Sequence, residues 1–289
     1  MSLTTTQAMA AFLDDITVTD YQKRSIIGGR KDTVVENLQS SFPATSDLPF
    51  SRAVLMGSAA KGTIVRPIDD IDVLAVFSNE NDAWSKYRWN SKAFIYRVRE
   101  AYNGLSTAQV GTRGQAVRIF FQTGGHVDVA PVFSHGNEIY GLPDGQGGWL
   151  NTAPTIANAW FAQKNAELSY NLAPLVRLLK KWNQAHSKRF RSFHLETVAA
   201  SCFGSLGSGR QAGLARFFEW SPTRLDVSDP GGQSGSLSSY LNWGDREEVR
   251  KALISAADRA SKAMQAEAEG NHEEAKRLWR IVLGSSFPN

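Results

Sequence analysis

Asp70 and Asp72 open an otherwise apolar run, Asp70-Ile71-Asp72-Val73-Leu74-Ala75-Val76-Phe77. Side chains at i and i+2 share one face of a strand, so the two acids point the same way while Ile71 and Val73 point into the core. Asp69 falls on that second face at the strand's start and reads as peripheral. Two carboxylates in an otherwise buried strand are unstable unless something positive sits between them.

The flanking segments say what that positive partner is. Ala53-Val54-Leu55-Met56 reads as a short buried strand ended by Gly57-Ser58, and eleven residues separate that turn from Asp70. Glycine lets backbone amides approach a phosphate closely, and the Ser58 hydroxyl can donate to it. Downstream, Ala116–Phe121 and His126–Phe133 are joined by a loop containing Gly124-Gly125, a hairpin signal. Asp128 lies within its second strand, with Val127 and Val129 facing away. If that strand pairs beside the Asp70 strand, three acids converge. Convergent carboxylates suit Mg²⁺, a hard ion that takes oxygen ligands and keeps its other positions for water or phosphate. Two such ions about 4 Å apart activate an attacking hydroxyl and steady a leaving pyrophosphate. A lone Asp-x-Asp pair is commonly a helix cap or a solvated turn. The upstream Gly-Ser turn, the strand context and Asp128 together turn the reading to a nucleotidyltransferase palm.

The rest of the chain sets bounds. Its 289 residues suffice for one large or two ordinary domains. Nothing approaches an uninterrupted apolar run of membrane-spanning length, and the start, Met1 to Gln7, has no basic flank before an apolar region. Cys202 is the single cysteine, so an intrachain disulfide and a multi-thiolate metal site are both excluded. A cytoplasmic protein without a membrane partner is expected. The net charge of +4 is mild for a nucleic-acid binder. The basic residues cluster at Lys23-Arg24, Arg30-Lys31, Lys180-Lys181 and Lys188 to Arg191, which suits either a triphosphate cleft or an ordinary solvated surface.

Helical periodicity predicts a helix over Thr19–Ser40, capped by Thr19 or Asp20 and ended by Pro43, and a second over Asn81–Tyr102. Further helices are expected over Pro154–Asn171, Leu172–His186, Phe193–Leu206 and Arg246–Glu267, with a last one capped by Asn271 and Glu274. No strand is expected after residue 155. The fold class is therefore α+β, with a palm of mixed sheet and helices (1–155, including an N-terminal helix) and a helical lobe (156–289). The active site is expected in the cleft between them. In the helical lobe, Lys180 or Lys181 ends an apolar helix and Ser192 starts the next, both common means of holding polyphosphate.

The run Gly57-Ser58-Ala59-Ala60-Lys61-Gly62-Thr63, followed by Arg66-Pro67-Ile68-Asp69-Asp70-Ile71-Asp72-Val73, resembles the bacterial cGAS/DncV-like nucleotidyltransferases. Val127-Asp128-Val129-Ala130-Pro131 is similar to their third-acid segment. Leu178-Leu179-Lys180-Lys181-Trp182, followed by Ser192 and Glu196, resembles their helical-lobe segment, and Trp279 and Phe287-Pro288 are similar to their closing residues.

The resemblance implies a polymerase-beta-like palm and a single-chain enzyme that joins nucleoside triphosphates into a cyclic oligonucleotide, most simply a cyclic dinucleotide. The product would switch on a separate effector in antiphage signalling. Asp70 and Asp72 would bind two Mg²⁺ ions, with Mn²⁺ able to substitute, and Asp128 the ion that activates the acceptor hydroxyl. Gly57 and Ser58 would hold the donor phosphates, and Lys180 and Ser192 would steady the triphosphate from the second lobe. The expected substrates are ATP, GTP or both, with UTP also open. Asn158, Asn165, Asn171 and Tyr170 are candidates for base choice, each equally readable as helix surface. One cysteine cannot build the zinc ribbon of the animal DNA sensor, so no obligate nucleic acid is expected. The competing readings are a transferase acting on RNA ends, a small molecule or a protein, and a catalytically dead nucleotide-binding scaffold.

Overall fold

The computed structural model describes residues 3–105 and 108–289. The chain divides into two compact units, one made of Met1–Thr17 with Ala159–Asn289, the other of Val18–Asn158.

The chain opens with helix α1 (Thr5–Ile16), started by a reciprocal cap between Thr4 and Gln7. The sequence reading groups residues 1–155 with the palm. In the structure α1 packs in the helical unit instead, where Ala8, Met9, Phe12 and Ile16 join a core with Phe161, Leu172 and Trp182. The rings of Phe12 and Phe287 meet edge to face at 5.3 Å, which ties the first helix to the end of the chain.

The Val18–Asn158 unit begins with α2 (Asp20–Gln22), a π-helical turn over Lys23–Gly28, and α3 (Gly29–Ser41). Thr19 supplies the cap, and the Gly28-Gly29 pair sits where the π turn rejoins the α-helix. Strand β1 (Phe50–Leu55) leads into a single-turn helix α4 (Gly57–Ala60), and then β2 (Asp70–Phe77) follows. The expected helix over Asn81–Tyr102 is broken into α5 (Ala83–Tyr87) and α6 (Ser91–Glu100). Asn81 and Asp82 both take left-handed backbone angles before the first piece. Asn90 stops the run and recaps it by accepting from the Ala93 amide at 3.1 Å.

Strands β3 (Ala108–Arg113), β4 (Ala116–Phe121), β5 (His126–Ser134), β6 (Tyr140–Pro143) and β7 (Trp149–Thr152) complete a seven-stranded sheet. The main order is β1-β2-β5-β4-β3, with β6 and β7 continuing from β5. β2 and β5 are parallel, and the other pairs are antiparallel. A parallel pair needs a long crossover, and here α5, α6, β3 and β4 provide it.

One face of the sheet packs on α3 and α6. Ile71, Val73, Ala75, Phe77, Val127 and Val129 are buried there against Val34, Leu38, Phe94 and Val98. The other face carries a smaller apolar cluster of Met56, Leu74, Val76, Val132 and Tyr140. β2 is therefore buried on both faces beyond residue 73, and its acids stand at the exposed end.

The helical unit comprises the rest of α7 (Pro154–Glu167), then α8 (Leu172–Ala185), α9 (Ser192–Cys202), α10 (Arg210–Trp220), α11 (Trp243–Ala268) and α12 (His272–Leu283). Its core is set by the apolar stripe of α8, ending in the fully buried Trp182. Ala256, Ala260 and Ala263 are small enough on α11 to let its neighbours approach closely. Buried Asn183 accepts from the Phe190 amide (3.0 Å) and donates to its carbonyl (2.9 Å), fixing the loop before α9. Burial pushes the Cys202 thiol up to about 11, so it stays protonated and unreactive near neutrality. No helix among the described residues is long and apolar enough to cross a membrane.

Candidate active site

The register of three strands builds the site. β2 and β5 run parallel with Asp72 opposite Asp128 and Asp70 opposite His126. Neighbouring strands lie about 4.8 Å apart, so the Asp72 and Asp128 backbones are adjacent and their side chains leave the same face. β4 pairs with β5 from the other side, placing Arg118 opposite Asp128 and Phe120 opposite His126. Two rows result across the open face: Arg118, Asp128 and Asp72 in one, Phe120, His126 and Asp70 in the next. The three acids expected from sequence are thus brought onto adjacent strands.

Asp72 is further fixed by the β1–β2 connection. Its carbonyl accepts from the Met56 amide at 2.8 Å. Its carboxylate lies so close to Gly57 that a Cβ at residue 57 would collide with it. Gly57 also has φ of 58°, a left-handed angle costly for other residues. The Gly-Ser turn opens α4, and the Ser58 carbonyl accepts from the amides of Thr63 (2.9 Å) and Ile64 (3.1 Å).

Asp128 is held differently. The Arg118 guanidinium forks onto it, Nε to Oδ1 at 2.7 Å and Nη2 to Oδ2 at 2.5 Å, with the side chains 14% and 20% exposed. This geometry gives the strongest class of ion pair. The hydrogen bond to Asp128 holds the Arg118 pKa above its ordinary value, with Asp70 and Asp72 adding to the effect. The sequence reading missed Arg118. Its signal was a cation inside the apolar Val117-Arg118-Ile119 run, as far before Thr123 as Asp128 lies beyond it, with the turn centred on that residue.

Asp72 and Asp128 border a concavity of about 690 Å³, lined also by Met56, Arg113, Gln115, Arg118 and Asp144. That volume suits a nucleotide-sized ligand. Asp144 accepts from the amides of Gln146 (2.6 Å), Gly147 (3.0 Å) and Gly148 (2.9 Å). Those bonds hold its carboxyl below the usual carboxylate range and commit it to a turn.

The donor set fits a hard divalent cation: carboxylate oxygens on one face, with the Asp72 carboxylate seated in space left by Gly57. As they stand, no three His, Cys, Asp or Glu side chains among the described residues gather closely enough to hold an ion. Asp128 has already turned to a cation, the Arg118 guanidinium.

Lys180 and Ser192 belong to the helical unit. Lys180 is buried, and its Nζ lies 2.7 Å from Glu196 Oε1, with side chains 9% and 3% exposed. Ser192 is exposed in the first turn of α9. Asn171 and Asn165 have structural duties: Asn171 donates to the Leu206 carbonyl at 3.1 Å, and the Asn165 side chain accepts from the Ala173 amide at 3.0 Å. Asn158 touches the Met56 sulfur at 3.8 Å, and Tyr170 is exposed.

Residues 1–165 match the family model described as the Second Messenger Oligonucleotide or Dinucleotide Synthetase domain. The chain is 25% identical to a probable cyclic nucleotide synthase of Bacillus cereus (strain VD146), an alignment that covers all of this chain and 99% of the relative. It is 28% identical to a cyclic AMP-AMP-AMP synthase of Escherichia coli (strain MS 115-1), covering 89% of each. The solved structure of E. coli MS115-1 CdnC with ATP superposes with a TM-score of 0.81 at 21% identity, covering 98% of this chain and 99% of that one.

Proposed function

The chain belongs to the Second Messenger Oligonucleotide or Dinucleotide Synthetase family of bacterial cGAS/DncV-like nucleotidyltransferases, and on that footing we propose how it condenses nucleoside triphosphates into a cyclic oligonucleotide. The observation that carries the proposal is the register of β2 and β5, which sets Asp72 beside Asp128 with Asp70 two residues away on the same face.

Asp70 and Asp72 would hold two Mg²⁺ ions, and Asp128 would complete the one on the acceptor side. The chemistry such ions would supply is charge withdrawal from the α-phosphate and the departing pyrophosphate, and easier deprotonation of a ribose hydroxyl. Gly57 leaves room for the Asp72 carboxylate and starts the turn whose backbone, with the Ser58 hydroxyl, binds donor phosphates. Lys180 and Ser192 are assigned to the triphosphate from the helical unit; the Lys180–Glu196 pair means that Lys180 shares its charge with a carboxylate. In each round a ribose oxygen bonds to the α-phosphorus, the bond to pyrophosphate breaks, and the hydroxyl proton leaves to solvent. A second round within the linear intermediate closes the ring. The product's role is to switch on a separate effector in antiphage signalling.

The E. coli relative is named for a cyclic AMP-AMP-AMP product, so ATP is the first substrate to test. Purified protein is incubated with each labelled nucleoside triphosphate and with all four, in Mg²⁺ and then Mn²⁺, and treated with phosphatase. Phosphatase-resistant product is expected, and its mass separates a cyclic dinucleotide from a trinucleotide. Asp70→Asn with Asp72→Asn is expected to abolish it while the protein stays folded. Purely phosphatase-sensitive linear product would move the assignment to an end-adding transferase.

A further inference from the structure

Resting on the metal-dependent reading above, we propose that Arg118 is a positioning residue that competes with the divalent cation for Asp128. Its fork engages the carboxylate that would complete the ion, and it gives way when nucleotide phosphate draws its guanidinium off.

Four observations carry this. Both Asp128 oxygens are engaged by the Arg118 fork, at 2.7 and 2.5 Å. Asp70 and Asp72 stand on the adjacent strand of the same face, so a cation bound among the three acids would sit within a few ångströms of the guanidinium. Two cations that close in a largely desolvated site repel each other, so ion and fork exclude one another. The pair is also mostly buried, which limits screening by water and salt. Arg118 lines the same concavity as Asp72 and Asp128, where an incoming nucleotide must place its phosphates. Phosphate offers the guanidinium the same two-pronged geometry as the carboxylate it leaves. The fork therefore holds the third acid in a fixed orientation and couples its release to substrate.

The test is Mn²⁺ binding to the metal-free protein, read from the electron-paramagnetic signal of free ion, without nucleotide. Arg118→Gln removes a like charge from beside the ion and is expected to tighten Mn²⁺ binding roughly tenfold. Arg118→Lys keeps a positive charge but loses the fork, and is expected to show a smaller gain in the same direction; it also keeps the test alive if Arg118→Gln fails to fold. In Arg118→Gln with Asp128→Asn the gain should vanish. Mn²⁺ affinity unchanged in both single variants would overturn the proposal, as would a gain that survives Asp128→Asn. At saturating Mg²⁺, Arg118→Gln should also raise KM for ATP several-fold; an unchanged KM overturns the coupling to nucleotide. Asp70→Asn with Asp72→Asn separates the two levels of the argument. If that variant loses Mn²⁺ while Arg118→Gln gains nothing, only the role of Arg118 falls. If it binds Mn²⁺ as the native protein does, the metal site itself falls, and the proposal with it.

Discussion

The Asp72 carboxylate lies where residue 57 would carry its Cβ. Fifteen positions apart in sequence, the two are locked together because the Met56 amide donates to the Asp72 carbonyl at 2.8 Å and draws the end of β1 against β2. The Gly-Ser turn and the Asp-x-Asp strand are therefore one device. The glycine sets where the acid can stand, and the acid leaves room at residue 57 only for glycine.

Gly57→Ala should accordingly act on activity more than on folding. Alanine at φ of 58° costs about 1–2 kcal/mol, and its Cβ must push the Asp72 carboxylate aside. Displacing a reacting group by an ångström costs about a hundredfold in rate. The expected result is turnover lowered about a hundredfold or more, with a melting temperature only a few degrees down. Native turnover in Gly57→Ala would show that contact with Asp72 does not set the site.

The acids were legible in sequence because strand physics is local. Alternation put Asp70 and Asp72 on one face, and the Gly124-Gly125 loop announced the hairpin that carries Asp128. The fork on Asp128 needed one further step, counting register outward from that loop to Arg118. Other features lay beyond local pattern. Helix α1 has a reciprocal cap and an apolar face, but nothing in those residues says that their core lies with segments some 150 residues away. The break between α5 and α6 depends on left-handed angles at Asn81 and Asp82 and on a cap at Asn90, which a smooth aromatic periodicity concealed. Helix α10 has no counterpart among the expected helices, because Gly209 and Gly213 weaken its propensity and it is burial of Leu214, Phe217 and Phe218 that forms it.

The Lys180–Glu196 pair carries a stability prediction that its proposed phosphate role does not. Both side chains are almost wholly buried, with Nζ and Oε1 2.7 Å apart. Removing either partner takes the close ion pair away from a buried charge, at a cost of about 3–5 kcal/mol. Lys180→Met and Glu196→Leu should each lower the unfolding free energy read from chemical denaturation by that amount, and the double variant should recover most of the loss. A residue serving substrate alone would instead raise KM in Lys180→Met and leave the denaturation midpoint in place.

Acid should loosen the helical unit through His194. That side chain is buried, with Nε2 2.7 Å from the Leu225 carbonyl and Nδ1 3.0 Å from the Tyr240 hydroxyl. A carbonyl only accepts, so Nε2 carries the proton. The Tyr240 hydroxyl accepts from the Arg191 amide at 3.0 Å and donates to Nδ1. The ring is therefore neutral in the fold, and burial holds its pKa below the ordinary value; the Leu225 carbonyl and Asp226 oppose the shift, and Arg246 adds to it. The unfolded chain titrates near an ordinary imidazole value of about 6.5. Between that value and the lower folded one, the unfolded state binds more protons, so stability rises with pH across the window. The contribution is complete above about 6.5 and is lost as pH falls through the folded pKa. Melting measured from pH 7.5 down to pH 5 should show the native protein losing more stability than His194→Gln, which has no proton to gain. Parallel curves for the two proteins would mean that the buried imidazole does not couple proton uptake to unfolding.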